Sequence, residues 1–91
     1  MSAESEEDTV AEVERLTLSW VEEILDEPDV TLADNFLDLG GHSVLAVRLS
    51  KQARQHLGAE YDLMVLFEKD LGSAAADLAS RVGPRSVEET A

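Results

Sequence analysis

Residues 34–46 read DNFLDLGGHSVLA, and this stretch decides how the rest of the chain is interpreted. The Gly40-Gly41 pair interrupts the apolar pattern, and Ser43 stands where a segment with helical periodicity begins. A serine in this position is an N-cap or a first-turn residue. The start of a helix carries partial positive charge and unpaired N–H groups, which favour a phosphate. Because glycine lets a large group approach the backbone, the stretch indicates a hydroxyl presented for the chemistry of another molecule.

Helical periodicity on both sides of this stretch predicts an all-α fold. Helices are expected at about 10–25, 43–57, within 61–69, and at 73–82. Thr9 and Glu12 form a capping box for the first helix, Gly58 ends the second, and Gly72-Ser73 opens the last. The pattern therefore predicts a small four-helix bundle with three main helices and one short helix.

The apolar residues of these segments define an expected core. Its largest members are expected to be Trp20, Phe36, Leu45, Leu49 and Phe67. The long connection before the second helix is expected to be anchored by Leu32, Phe36, Leu37 and Leu39, with Asp34 capping one helical turn. The packing face of the last helix is expected to comprise Ala75, Ala76, Leu78, Ala79 and Val82.

The composition excludes several classes of function. The net charge of −13 argues against a nucleic-acid-binding protein, which needs a basic face. The chain has no cysteine, and no apolar segment approaches the roughly 20 residues of a membrane span. The acidic N-terminus is unlike a secretory or organellar leader, so we expect a cytoplasmic protein.

Basic residues are concentrated on the second predicted helix. No lysine or arginine lies between Arg15 and Arg48, and then Arg48, Lys51 and Arg54 follow without an acidic residue among them. The helical period turns Val44 and Val47 away from the expected core. We therefore predict a partner-binding surface beside Ser43, formed by Val44, Val47, Arg48 and Lys51.

Three other interpretations of the sequence around Ser43 are less well supported: a hydrolase, a metal site at His42 and an unmodified interaction protein. Gly41-His42-Ser43-Val44-Leu45 matches all but the last position of a nucleophile elbow, but His56 lies about 20 Å along the same predicted helix. A metal site needs three or four convergent ligands, which the two histidines do not supply. A small acidic helical interaction protein without modification would explain the amphipathic helices, but not the Gly-Gly-His-Ser interruption.

Residues 34–49 closely resemble the attachment motif of peptidyl carrier proteins, the thiolation domains of nonribosomal peptide synthetases. The resemblance extends over about residues 9–82. It implies an acyl-carrier-protein-like bundle in which Ser43, flanked by Gly41 and His42, carries covalent phosphopantetheine from coenzyme A. The implied partners are a phosphopantetheinyl transferase, an adenylation enzyme, and condensation, tailoring or thioesterase enzymes. Such a carrier is a monomer that catalyses nothing and holds aminoacyl, aryl or peptidyl thioesters in natural-product, including antibiotic, biosynthesis.

Two features favour the peptide-synthetase branch over polyketide or fatty-acid carriers. His42 stands where those carriers typically have aspartate, and the second predicted helix is basic rather than acidic. One departure follows Phe67, where the family commonly has a Pro-Thr pair. We expect residues 1–8 to be disordered, 9–82 to form the carrier domain and 83–91 to be a flexible tail, in a free-standing type II carrier.

Overall fold

A computed structural model describes the backbone of residues 2–82 and the side chains of residues 9–82. Four helices run through this part of the chain: α1 (Ser2–Leu25), α2 (Ser43–Leu57), α3 (Leu63–Glu68) and α4 (Leu71–Val82). Helix α1 packs against both α4 and α2, and the short α3 packs against α4. The only extended pairing in the described residues is an isolated bridge between Asn35 and Asp70. The predicted all-α bundle of three main helices and one short helix is confirmed.

The start of the first helix was predicted wrongly. Helix α1 begins at Ser2, so it includes the segment that was expected to be disordered. Thr9 lies inside the helix rather than at its N-cap. Residues 3–8 contain one alanine and three glutamates, which have high helix propensity, and acidic residues are favoured near a helix N-terminus. The predicted tail at 83–91 lies outside the described residues.

Helix α2 has the bounds that the sequence predicted. Gly58 follows it with a φ of 75°, a left-handed conformation, and its N–H donates to the Arg54 carbonyl at 3.0 Å. Leu49 is fully buried, as are Ala46 and Ala53, the residues that flank it on the same helical face. The prediction that Leu45 is buried was wrong: it is only half-buried, because it lies at the edge of this face in the first turn.

Helix α4 begins two residues earlier than predicted. Asp70 caps it, because its Oδ1 accepts a hydrogen bond from the Ser73 backbone N–H at 2.8 Å. This hydrogen bond, supported by the Ser73 side chain, holds the pKa of Asp70 below its usual range. Ala76, expected in the packing face, is exposed, and Ala74 is buried instead. The 3.6-residue period places Ala76 on the opposite side from Ala74 and Leu78.

The remaining core predictions were partly right. Trp20 and Phe36 are buried, but Phe67 is only half-buried, although its ring lies 6.4 Å from that of Phe36. Leu37 is 46% exposed because its neighbour Phe36 occupies the interior position of the loop. Of the other expected anchors of this loop, Leu32 and Leu39 are half-buried.

A buried polar pair was not foreseen. The Thr17 and Tyr61 hydroxyls lie 2.6 Å apart and join α1 to the segment before α3. Burial raises the pKa of the Tyr61 phenol well above its usual value, while the Thr17 contact opposes the shift. A hydrogen-bonded pair of this kind satisfies two hydroxyls that would otherwise be costly to bury.

Candidate functional site

Ser43 is the first residue of α2, and His42 is the N-cap. The His42 backbone is extended, with φ −149° and ψ −178°, and its carbonyl accepts from the Ala46 N–H at 2.8 Å. Both Ser43 and His42 are exposed. Of the two positions that the sequence allowed for Ser43, the structure therefore selects the first turn.

The first turn of α2 lacks a protein group that would neutralise it. The His42 side chain makes no capping hydrogen bond, and the first turn contains no acidic residue. Among the described residues, the Ser43 hydroxyl has no hydrogen-bond partner. An exposed, unpaired hydroxyl therefore lies beside backbone N–H groups that point out of the helix, an arrangement that suits a negatively charged substituent.

The two glycines before the site have different roles. Gly40 has a φ of +102°, a conformation that strongly favours glycine, and a side chain there would meet no neighbour within 4 Å. A Cβ on Gly41 would lie 2.4 Å from Cε2 of Phe36. The sequence indicated that both glycines open the approach to Ser43. That interpretation is wrong for Gly41, because the buried Phe36 ring occupies the space that a larger side chain at this position would need.

The Asn35 side chain holds the loop that leads to the site. Its Oδ1 accepts from the backbone N–H groups of Leu37 at 2.8 Å and Asp38 at 3.1 Å. Its Nδ2 donates to the carbonyls of Phe67 at 3.1 Å and Lys69 at 2.8 Å. One amide thus shapes the turn before Gly40 and ties it to the end of α3. Asn35 was not among the predicted site residues, although a loop asparagine commonly forms a turn by hydrogen-bonding to the backbone two residues on.

Asp34 does not cap the helical turn as predicted. Its Oδ2 instead accepts from the Thr31 backbone N–H at 2.9 Å, and its carbonyl accepts from the Leu71 N–H at 2.8 Å. The Gly72 N–H likewise donates to the Leu32 carbonyl at 2.8 Å. The loop is therefore fixed to the start of α4 by backbone hydrogen bonds.

The residues predicted as a partner surface lie together on one exposed side of α2. Val44 is 65% exposed and Val47 is 51% exposed, and Arg48 and Lys51 are exposed beside them. Arg54, further along the helix, is paired with Glu60 at 2.7 Å. Within the described residues, Arg48 and Lys51 have no such ion pair. Exposure and proximity are consistent with a binding surface, whose role stays a prediction.

A groove runs between α2 and the segment that enters α3. It has a volume of about 140 Å³ and is lined by Val47, Ser50, Lys51, Glu60, Tyr61 and Leu63. Ser50 is only 8% exposed, and its Oγ is buried without a hydrogen-bond partner. Met64, in the first turn of α3, is 64% exposed. Neither Ser50 nor the exposed residues of α3 were among the predicted site residues.

The two histidines do not lie at one shared site, because His42 precedes α2 and His56 is near its end. His56 lies near the end of α2, where its ring centroid is 5.5 Å from that of Trp20. Residues 9–82, whose side chains the structure describes, contain no group of three or more His, Cys, Asp or Glu side chains arranged to hold a metal ion. Over the same range, no helix combines the length and the apolar character needed to cross a membrane.

Comparison with known proteins gives a consistent assignment. Residues 9–78 match the family model described as "Phosphopantetheine attachment site". Over 70 residues, 75% of this chain, the sequence is 44% identical to a probable non-canonical nonribosomal peptide synthetase, CymA, of Salinispora arenicola. Over 60 residues, 66% of the chain, it is 45% identical to a dimodular nonribosomal peptide synthase of Bacillus subtilis. No solved structure matches the chain.

The relatives are much longer than this chain. The matched region makes up 1% of the Salinispora protein and 2% of the Bacillus protein. A linear gramicidin synthase of Brevibacillus parabrevis shows the same relation, with 29% identity over 85% of this chain and 2% of its own length. The similarity therefore concerns one domain-sized region of each relative.

Proposed function

The chain belongs to the phosphopantetheine attachment-site family, as a carrier domain of the nonribosomal peptide synthetase type, and from this premise we propose that Ser43 bears the phosphopantetheine. The observation that supports this choice is the position of Ser43. It is exposed, its hydroxyl is unpaired within the described residues, and it opens a helix whose first turn has no side-chain cap.

The residues around Ser43 fit a phosphodiester. The backbone N–H groups of the first turn offer hydrogen-bond donors to its oxygens, and the helix dipole favours its charge. No carboxylate lies in that turn to repel it. Gly41 and His42 precede Ser43 and position it. Gly41 lets the backbone pass close to the Phe36 ring, and the His42 carbonyl accepts the first hydrogen bond of the helix.

Once attached, the group would supply a terminal thiol that this cysteine-free chain lacks, able to hold carboxylic acids as thioesters. The chain's own residues then have two tasks, which are to keep the attachment point exposed and to offer a surface to enzymes. The aminoacyl, aryl or peptidyl group is recognised by those enzymes. We propose that the chain itself is not catalytic, because Ser43 has no hydrogen-bonded base among the described residues.

The partners that follow from this function are enzymes that act at the same serine in turn. A phosphopantetheinyl transferase installs the group, an adenylation enzyme loads it, and condensation, tailoring or thioesterase enzymes receive the cargo. We propose that they dock on the exposed surface formed by Val44, Val47, Arg48 and Lys51. Because coenzyme A and ATP are cytoplasmic, we place the protein in the cytoplasm. Its carrier domain corresponds to residues 9–82.

The absence of cysteine makes the experiment simple. The purified protein is incubated with coenzyme A and a broad-specificity phosphopantetheinyl transferase, and new thiols are then labelled with a maleimide dye. We expect one label on the wild-type chain and on Ser19→Ala, a control at an exposed position of α1, but none on Ser43→Ala. Labelling of Ser43→Ala at the wild-type level would contradict the proposal.

A further inference from the structure

The segment that enters α3 is held by all three long helices. The Glu60 carboxylate accepts a hydrogen bond from Arg54 of α2 at 2.7 Å. The hydroxyl of the next residue, Tyr61, lies 2.6 Å from that of Thr17 in α1. The Glu60 carbonyl in turn accepts from Nη1 of Arg81 in α4 at 2.8 Å. The start of the short helix is therefore fixed relative to the rest of the bundle.

The Arg81 guanidinium joins the last turn of α4 to this segment at two points. Besides the bond to the Glu60 carbonyl, its Nη2 lies 3.5 Å from the Asp62 carboxylate. The same nitrogen lies 2.7 Å from the carboxylate of Asp77, one turn earlier on α4, and this pair orients the guanidinium. A planar guanidinium can address several acceptors in a fixed geometry, which the point charge of a lysine cannot do.

Asp62 transmits this constraint to α3. It is the N-cap of the helix, and its Oδ1 accepts from the backbone N–H groups of Met64 at 2.9 Å and Val65 at 3.4 Å. Its Oδ2 is the oxygen that faces Arg81. One carboxylate therefore connects the end of α4 with the first turn of α3.

The first turn of α3 borders the proposed docking surface. Leu63 and Met64 are both exposed. Leu63 lines the same groove as Val47 and Lys51, which belong to that surface. Single exposed apolar side chains are ordinary, whereas a continuous set of them marks a contact area. The apolar part of the docking surface thus continues from α2 onto α3.

We propose that Arg81 is a positioning residue for carrier recognition, which holds the first turn of α3 where an enzyme acting at Ser43 meets Met64 and Val47 together. The inference rests on the proposed function, since it requires enzymes that dock beside Ser43. Arg81 acts through the cap residue Asp62 and is not itself part of the docking surface. Without Arg81 the turn keeps its cap but loses its link to α4, so docking weakens while the chemistry at Ser43 is unchanged.

Arm transfer by a broad-specificity phosphopantetheinyl transferase, measured at varied carrier concentration, separates docking from chemistry. Arg81→Met removes the charge and keeps an unbranched side chain, and it should raise KM for the carrier severalfold with kcat nearly unchanged. Ser80→Ala, at the neighbouring exposed position of α4, should keep the wild-type KM. Arg81→Lys retains the charge without the forked donor set, so it should raise KM by a smaller factor. It replaces Arg81→Met if that variant does not fold.

A double-mutant cycle with Met64→Ala distinguishes positioning from a general loss of stability. Met64→Ala alone should raise KM, because it removes an exposed side chain of the proposed contact area. Since Arg81 acts through the same turn, adding Arg81→Met to Met64→Ala should raise KM by a smaller factor than it does in wild type. Amide NMR of Arg81→Met should show shifts at residues 60–65 and none at Ser43.

The outcomes separate the two proposals. If wild-type Ser43 gains no thiol, both fail. If the thiol is gained but Arg81→Met, or Arg81→Lys in its place, keeps the wild-type KM, only the positioning role fails. That role is also wrong if the substitution lowers kcat without changing KM, or if the two KM factors of the cycle simply multiply, because Arg81 would then act by a route other than the first turn of α3.

Discussion

The Phe36 ring occupies the space that a side chain on Gly41 would need, with a hypothetical Cβ only 2.4 Å from Cε2. Phe36 is fully buried, and the Gly41 N–H donates to its carbonyl at 3.0 Å. The chain therefore crosses directly over a core residue two positions before Ser43. The placement of Ser43 depends on this contact.

Gly41→Ala is expected to destabilise the fold by about 1–3 kcal/mol, the usual cost of overpacking a buried contact. It should also slow arm transfer to Ser43, because the loop must move away from Phe36. Urea denaturation and the initial rate of arm transfer measure the two effects. The contact with Phe36 is tested by adding Gly41→Ala to Phe36→Leu and comparing the double variant with Phe36→Leu alone. If Gly41→Ala lowers the free energy of unfolding as much in the Phe36→Leu protein as in wild type, the Phe36 ring does not cause the destabilisation.

Leu49→Ala is expected to lower the free energy of unfolding by about 2–5 kcal/mol, since Leu49 is fully buried on α2. Val47→Ala, two residues earlier on the exposed side, should change it by no more than about 0.5 kcal/mol. Chemical denaturation of both variants gives the comparison. Equal effects would mean that α2 is rotated about its axis relative to the structure.

Val44→Asp should slow loading by the adenylation enzyme while leaving Tm nearly unchanged. Val44 is 65% exposed beside Ser43, so the substitution places a charge on the proposed docking surface without disturbing the core. The protein is armed first, so that only loading is measured, at limiting carrier concentration. Ala11→Asp, at an exposed position of α1, adds the same charge elsewhere. Normal loading of Val44→Asp, or equal slowing by Ala11→Asp, would remove the docking assignment.

Stability should fall at alkaline pH because of Tyr61. Burial raises the pKa of its phenol in the folded state, whereas the unfolded phenol titrates near 10. Above about pH 10 the unfolded state therefore releases a proton that the folded state keeps, and the free energy of unfolding decreases with pH. The contribution of Tyr61 to the free energy of unfolding is therefore fully present below about pH 10 and is lost progressively above it.

Tyr61→Phe isolates that effect from the titration of other groups. At neutral pH it leaves the Thr17 hydroxyl without its partner, at a cost of about 1–3 kcal/mol. Between pH 9 and 11 its stability should decline less steeply than that of wild type in urea titrations. Parallel pH profiles for the two proteins would show that the folded-state pKa of Tyr61 is not raised.

Much of the bundle follows from local sequence, because helix period and end signals act within a few residues. Helix α2 was predicted at about 43–57 and spans Ser43–Leu57, with Gly58 as its stop. The start of α1 was missed because residues 2–8 contain no apolar period, although their helix propensity is high. The start of α4 was missed because Asp70, rather than Gly72-Ser73, supplies the cap.

At the site, Ser43 could be identified from the Gly-Gly interruption and the helix start that follows it, and the exposure of its neighbours could be predicted from helical spacing. The role of Gly41 could not, because it depends on where the Phe36 ring packs in three dimensions. The same is true of Asn35, whose partners at Phe67 and Lys69 are distant in sequence, and of Ser50, which is notable only for a hydrogen bond that it does not make.

Peptide-level mass spectrometry of the armed protein tests the central claim most directly. After incubation with coenzyme A and a phosphopantetheinyl transferase, the digest is fragmented to locate the added group. A single phosphopantetheine on Ser43, and on no other serine, is the predicted result. An unmodified Ser43, or the group on any other serine, would contradict it.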